Sequence, residues 1–157
     1  MKIKIIQVGK TKDKYLEEGI NEYLKRLNAF YRIETITLKD VKSSKTYPPE
    51  RCKKEESFQI LSAISEGDAV ICLDEHGKEK TSEEFSGTLS SLMDMGRTVS
   101  FVIGGAYGID KSILSRCELI LSFSKMTFTH QMIRIFLLEQ LYRAGCIIRG
   151  KEYHIAG

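Results

Sequence analysis

Two short segments of this chain carry residues fit to grip a ligand by its polar atoms. Gly104-Gly105-Ala106-Tyr107-Gly108 ends the apolar run Phe101-Val-Ile103, and Ser124-Lys125-Met126-Thr127 ends the run Leu119-Ile-Leu-Ser-Phe123. Glycines allow positive φ and close backbone approach, which serves a plain structural turn as well as a main-chain grip on an adenine or ribose. In parallel sheets ligands bind outside the carboxyl ends of strands. Here those ends are Leu73, Gly104-Gly105 and Phe123-Ser124, each closing one of the most apolar runs. Side by side they form a shelf of backbone donors and acceptors, expected to be the cofactor site.

The commonest cofactors do not suit this shelf. The glycines lack the Gly-x-Gly-x-x-Gly order, and about 20 residues beyond them stand Ser124-Lys125 rather than an acid for a ribose hydroxyl; no Walker lysine follows. Cys52, Cys72, Cys117 and Cys146 are widely spaced, so neither a zinc site nor a disulfide framework is expected. His130 and Arg134 share a helical stripe, as do Glu139 and Arg143, the latter equally readable as a solvated ion pair. Arg149, Lys151, Tyr153 and His154 mix cations, an aromatic ring and an imidazole, groups able to meet phosphates and stack on a base; a disordered end is the alternative.

The elements that must position these residues follow from periodicity. Strands are expected near 2–8, 32–38, 68–73, 98–103 and 118–123, the central ones apolar enough to be buried on both faces. Helices alternate with them: one after Asp13, one from about Glu50 to Ser65 behind Pro48-Pro49, one behind the capping box Thr81-Ser-Glu-Glu84, and one from about Phe128 to Ala144. Lys39 to Thr46 reads as a mobile loop, and Asp74 to Lys78 as a loop at a strand end. The fold class is therefore α/β, a parallel-dominated sheet sandwiched by helices. The last helix is apolar on nearly every side and needs cover on more than one face. A symmetric dimer built on it is the economical solution, and a central helix in a monomer the alternative.

At 157 residues with 42% hydrophobic content, one complete core and one domain are expected. Without an apolar run of about 18 residues, the chain is expected to be soluble and cytoplasmic. The net charge of +3 lies wholly in the last quarter. Residues 121–157 hold five Lys/Arg against two acids, whereas residues 1–120 hold 19 of each. That placement suits a polyanion-binding face, a solvated tail being the bland reading.

Taken together, Phe101-Val-Ile-Gly-Gly-x-x-Gly108, Leu121-Ser-Phe-Ser-Lys-Met-Thr-Phe-x-His-Gln131, Glu139-Gln-Leu-Tyr-Arg143 and Arg149-Gly-x-x-Tyr-His154 resemble the bacterial ribosomal RNA large subunit methyltransferase H family, of the SPOUT superfamily. The resemblance spans the chain, from Val8-Gly-Lys10 and Glu22-Tyr23 onward. It implies a single SPOUT domain over 1–157, a trefoil knot at about 100–145 and an RNA-contacting tail at about 146–157. It also implies S-adenosylmethionine as cofactor, no metal, a homodimer, and methylation of N3 of a pseudouridine in helix 69 of 23S rRNA within the 70S ribosome. The cofactor positions it implies are Leu73, Gly104, Gly105, Phe123, Ser124, Lys125, Met126, Thr127 and Phe128; the RNA positions are Arg149, Lys151, Tyr153 and His154. For the proton on N3, His154 and then His130 are the candidate bases, with Arg134 and Arg143 orienting RNA or stabilising the anion. The chain departs from the family in Thr129, where proline is usual, and in Ile155-Ala-Gly157 beyond the histidine.

Overall fold

Hydrophobic alternation decides the layers. In β1 (Lys2–Val8), Ile3 and Ile5 face one side of the sheet and Ile6 and Val8 the other. In β4 (Val99–Ile103), Phe101 and Ile103 are opposed by Val102, and in β3 (Ala69–Glu79), Ile71 and Leu73 by Cys72. With β2 (Arg32–Leu38) and β5 (Leu119–Ser122) these strands form one sheet in the order β2-β1-β4-β3-β5, every neighbouring pair parallel. This computed structural model describes residues 1–152; Tyr153 and His154 of the expected RNA-binding set lie outside the described residues. Among the described residues no helix is long and apolar enough to cross a membrane.

Helices cover both faces. On one side α5 (Met132–Ile148) lies between α1 (Lys14–Leu27) and α3 (Ser82–Asp94), burying Leu137, Leu141 and Ala144 against Leu27, Phe85, Leu89 and the strands. On the other, α2 (Pro49–Ala63) and the short α4 (Lys111–Leu114) bring Ile60 and Ile113 onto Ile6, Val70 and Val102. The capping box at Thr81 is formed, with Thr81 Oγ1 accepting from Glu84 N–H and Glu84 Oε2 from Thr81 N–H. One ion pair is buried beneath the sheet: Lys4 Nζ donates to Asp68 Oδ2 (2.8 Å) and Ser65 Oγ (2.6 Å), and Ser100 Oγ donates to the same Asp68 oxygen (2.7 Å). Burial would raise the Asp68 carboxyl's pKa, but the hydrogen bonds from Lys4, Ser100 and Ser65 N–H prevail and lower it.

Three expectations need correction. β3 does not stop at Leu73: its pairing with β5 breaks after Leu73 and resumes at Lys78, so the intervening residues loop out and the strand continues to Glu79. The last helix runs from Met132 to Ile148, four residues later than expected at each end. Thr129 Oγ1 accepts from Met132 N–H (3.2 Å) and so holds its entry. Gly145 does not end the helix but admits Phe30, since a Cβ there would lie 2.7 Å from Phe30 Cγ. The lysine-rich loop after β2 is fastened rather than loose: Lys39 exchanges two hydrogen bonds with the Gln59 amide, Val41 N–H donates to Glu56 Oε1, and Ser44 and Tyr47 form a β-bridge.

Candidate functional site

The break in β3 after Leu73 and the carboxyl ends of β4 and β5 border a cleft of about 530 Å³. Leu73, Ile103, Leu121, Phe123 and Ile133 give it apolar walls. Of the expected cofactor positions all but Lys125, which is exposed, line this cleft. Asp13, Asp74, Glu75, Ile109 and Gln131 line it too, and sequence reasoning had not singled them out for the site. The signal was present for Asp74-Glu75, which directly follow the apolar run ending at Leu73; Asp13 stands before α1, where it makes no side-chain capping hydrogen bond and nothing local marks it for the cleft.

The glycine wall is shaped from behind. A Cβ on Gly104 would stand 2.7 Å from Ile109 Cγ1 and 3.2 Å from the Gly108 carbonyl, and one on Gly105 would stand 2.7 Å from Glu56 Oε2. Packing from behind at Gly105, and the close approach of the neighbouring Gly108 and Ile109 at Gly104, therefore demand glycine, leaving bare main chain at both positions beside the cleft. Gly108 N–H closes the turn on Gly105 O (3.2 Å). Glu56 is buried; its Oε1 accepts from Val41 N–H (3.1 Å), while Oε2 has no hydrogen-bond partner among the described residues. Burial raises this carboxyl's pKa, and Asp40 and Glu55 push it further against the Val41 N–H.

Opposite, hydroxyls fold the 122–129 segment. Ser122 Oγ donates to Ser124 O (2.8 Å), Ser124 Oγ accepts from Met126 N–H (2.9 Å), and the Thr127 hydroxyl donates to the Glu75 carboxylate across the mouth. Phe128 meets Phe136 of α5 edge-on at 4.9 Å between centroids. The half-buried His130 also lines the cleft. Burial, then the charges of Arg134 and Lys12, depress its pKa against the opposing Asp40, so the imidazole is neutral at pH 7 and able to accept a proton.

Arg134 is 2% exposed and turns inward. It donates to Val8 O (2.7 Å) and Thr11 Oγ1 (2.9 Å), and does not line the cleft. This corrects the expectation for Arg134: its guanidinium fixes the chain leaving β1 and is sealed from a nucleic acid. Arg143 donates through Nε and Nη2 to Glu139 Oε1 (3.1 and 2.9 Å) on the middle of α5, away from the cleft lining. Arg149 and Lys151 lie over the Phe30 ring, 4.9 and 5.2 Å from its centroid. Phe30 precedes β2, so these cations sit at the amino-end side of the sheet, opposite the cleft. Among the described residues no group of three or more His, Cys, Asp or Glu is placed to hold a metal.

Comparison with known proteins places this geometry. Residues 1–154 match the model of the family described as predicted SPOUT methyltransferase. Ribosomal RNA large subunit methyltransferase H of Bacillus thuringiensis (strain Al Hakam) and its namesake in Bacillus anthracis are each 46% identical over 158 residues, covering 98% of this chain and 99% of theirs. Among solved structures, a probable methyltransferase from Bordetella pertussis Tohama I aligns with a TM-score of 0.59 at 10% identity, over 91% of this chain and 93% of that one. A probable methylase family protein from Haemophilus influenzae Rd KW20 aligns at 0.60 and 12% identity, over 98% of this chain and 70% of that one. At such identities the two structures speak for the fold alone. Family model and near-full-length relatives agree, and the chain belongs to the SPOUT methyltransferases, within the ribosomal RNA large subunit methyltransferase H family.

Proposed function

We propose that this protein is an S-adenosylmethionine-dependent methyltransferase of large-subunit ribosomal RNA that methylates N3 of a pseudouridine in helix 69 of 23S rRNA on the assembled ribosome. The observation that carries the cofactor is the charge of the cleft. Asp13, Asp74 and Glu75 line it and no lysine or arginine does, which suits a ligand bearing a sulfonium and an ammonium and repels a nucleotide polyphosphate. Its volume falls within the roughly 300–1,000 Å³ typical of small-molecule sites. Main chain at Gly104-Gly105 and at 123–128 would hold the purine and ribose, with Leu73, Ile103 and Leu121 against the rings. When bound, S-adenosylmethionine supplies a methyl group on positively charged sulfur.

The chain's own work is positioning, exclusion of water and handling of one proton. In our reading the N3 proton leaves to an imidazole. His130, neutral beside the cleft, is within the same subunit; His154 is the first candidate and belongs to the tail. In one subunit the tail starts from the wrong end. α5 has 17 residues, about 25 Å at ~1.5 Å per residue, and Lys151 N–H is tied to Cys146 O at its far end (2.9 Å). Three further residues span at most about 11 Å. His154 would therefore serve the cleft of a second copy, which makes the site composite and the homodimer obligatory. The half-buried Met132, Phe136 and Ile147 of α5 offer the apolar surface for that dimer. The SPOUT fold further implies that the 100–145 segment is threaded as a trefoil knot.

The rival is a non-catalytic RNA-binding module of the same fold, which has no use for the cofactor. Titration calorimetry separates them: the proposal expects saturable binding of S-adenosylmethionine and none of ATP. Absence of S-adenosylmethionine binding would reject the enzyme.

A further inference from the structure

We infer that a lysine-lined groove beside the cofactor cleft seats the ribosomal RNA phosphate backbone flanking the target nucleotide; the inference rests on the proposed rRNA methyltransferase activity. The groove, about 580 Å³, is formed where the chain leaves β1 and β2. Lys10, Lys12, Lys39 and Lys42 line it, all exposed, with Asp40 the one acid among the lining residues. None of the four lysines is in an ion pair among the described residues. Four unneutralised cations around one open groove are a site for several phosphates rather than one. Among the described residues no aromatic side chain lines it, so what lines the groove suits the backbone, which positions a nucleic acid without reading its sequence.

The groove is built rather than incidental. Both lysine-bearing loops are held from beneath by side chains far away in sequence. Arg134 grips Val8 O and Thr11 Oγ1, and Gln131 Oε1 accepts from Lys12 N–H (2.8 Å). Gln59 clasps the Lys39 backbone, and the buried Glu56 accepts from Val41 N–H. Loops ordered before binding lose little further entropy when a strand is laid on them. Location completes the case. Lys12 adjoins Asp13 of the cleft and bonds to Gln131 of its rim, and Tyr107 of the glycine turn is hydrogen-bonded to Ser43 beyond Lys42. An acidic cleft and a basic groove thus share one wall, sorting a cationic cofactor from an anionic substrate, and a phosphodiester strand lying along the lysines would deliver an extruded base to the cleft.

The test compares the wild-type protein with Lys10→Ala/Lys12→Ala and Lys39→Ala/Lys42→Ala, and with Lys54→Ala/Lys111→Ala as an equal loss of charge on the α2–α4 face. Binding to 70S ribosomes lacking the modification, and to protein-free 23S rRNA at low salt, is measured as a function of potassium chloride, alongside S-adenosylmethionine affinity and methyl transfer. Each groove pair is expected to weaken ribosome binding at least tenfold and to lower the logarithmic salt slope by about 1.4, from ~0.7 per phosphate contact on single strands. S-adenosylmethionine affinity should stay within twofold, and the Lys54/Lys111 pair should do little. Unchanged slope and affinity in both groove variants, or no ribosome binding by the wild type, would overturn the inference. So would an effect on ribosomes with none on 23S rRNA, which would assign the groove to a ribosomal protein. If the wild type binds through these lysines yet transfers no methyl, the enzymatic reading fails and the groove stands; transfer with indifferent lysines means the reverse.

Discussion

Replacing Gly105 with alanine tests whether the cleft wall is shaped by what lies behind it. The new Cβ would stand 2.7 Å from Glu56 Oε2, where ordinary contact begins near 3.4 Å, so something must yield by about 0.7 Å. Glu56 cannot swing aside without cost: it is buried, and its other oxygen is engaged by Val41 N–H. The strain therefore falls on the 104–108 turn. Overpacking of this kind costs about 1–3 kcal/mol, and a displaced turn should lower S-adenosylmethionine affinity by roughly tenfold or more, a factor equal to about 1.4 kcal/mol. Urea unfolding and calorimetry read the two effects. The double variant Gly105→Ala/Glu56→Ala removes the collision, so the two changes should be non-additive by about 1 kcal/mol or more. Full stability and affinity in Gly105→Ala, or strict additivity in the cycle, would refute this reasoning.

Other outcomes follow from the same structure. Asp68→Ala should destabilise the fold by about 3–5 kcal/mol, since it strands the buried Lys4 charge. Because the folded pKa of Asp68 lies below its ordinary 3.8, the wild type should keep this contribution above the unfolded value and lose it as pH falls through the folded one; acid melts of the variant should lack that component. Arg134→Ala should lower stability by about 1–3 kcal/mol by leaving the buried Val8 carbonyl unpaired, and should weaken ribosome binding through the loosened Lys10–Lys12 loop. Unchanged melting would contradict its role as an anchor. Mixing equal amounts of a cofactor-site variant with His154→Ala should restore roughly a quarter of wild-type methylation, because half the dimers are mixed and each carries one intact composite site. No restoration would mean that each site is complete within one chain.

The strands were legible because the central ones are short, well-bounded and nearly continuous apolar runs, and the capping box at Thr81 marks its helix in four letters. Boundaries set by distant contacts were not. The last helix was expected to end at about Ala144, and nothing local tells that Gly145 continues it with Phe30 filling the space beside it. The return of β3 to the ladder at Lys78 depends on β5, some 40 residues on. The loop after β2 has the composition of a mobile segment, and only Gln59 and Glu56, brought over it by α2, make it a fixed wall. The shelf was visible as three apolar runs, and Asp74-Glu75 directly follow one of them, but Asp13 stands before a helix with no local sign that it lines the cleft. Arg134 carried the opposite lesson: the spacing that put it with His130 on one stripe could not reveal that its side chain turns inward to Val8.

The most direct measurement is transfer of labelled methyl from S-adenosylmethionine to 70S ribosomes that lack the modification, beside free 23S rRNA and ribosomes carrying uridine at the target position, with the labelled nucleoside then identified by mass spectrometry. The predicted result is one methyl per ribosome, on N3 of a helix 69 pseudouridine, with little on free rRNA or on the uridine ribosome. Label on another nucleoside, or none on any substrate despite measurable cofactor binding, would contradict it.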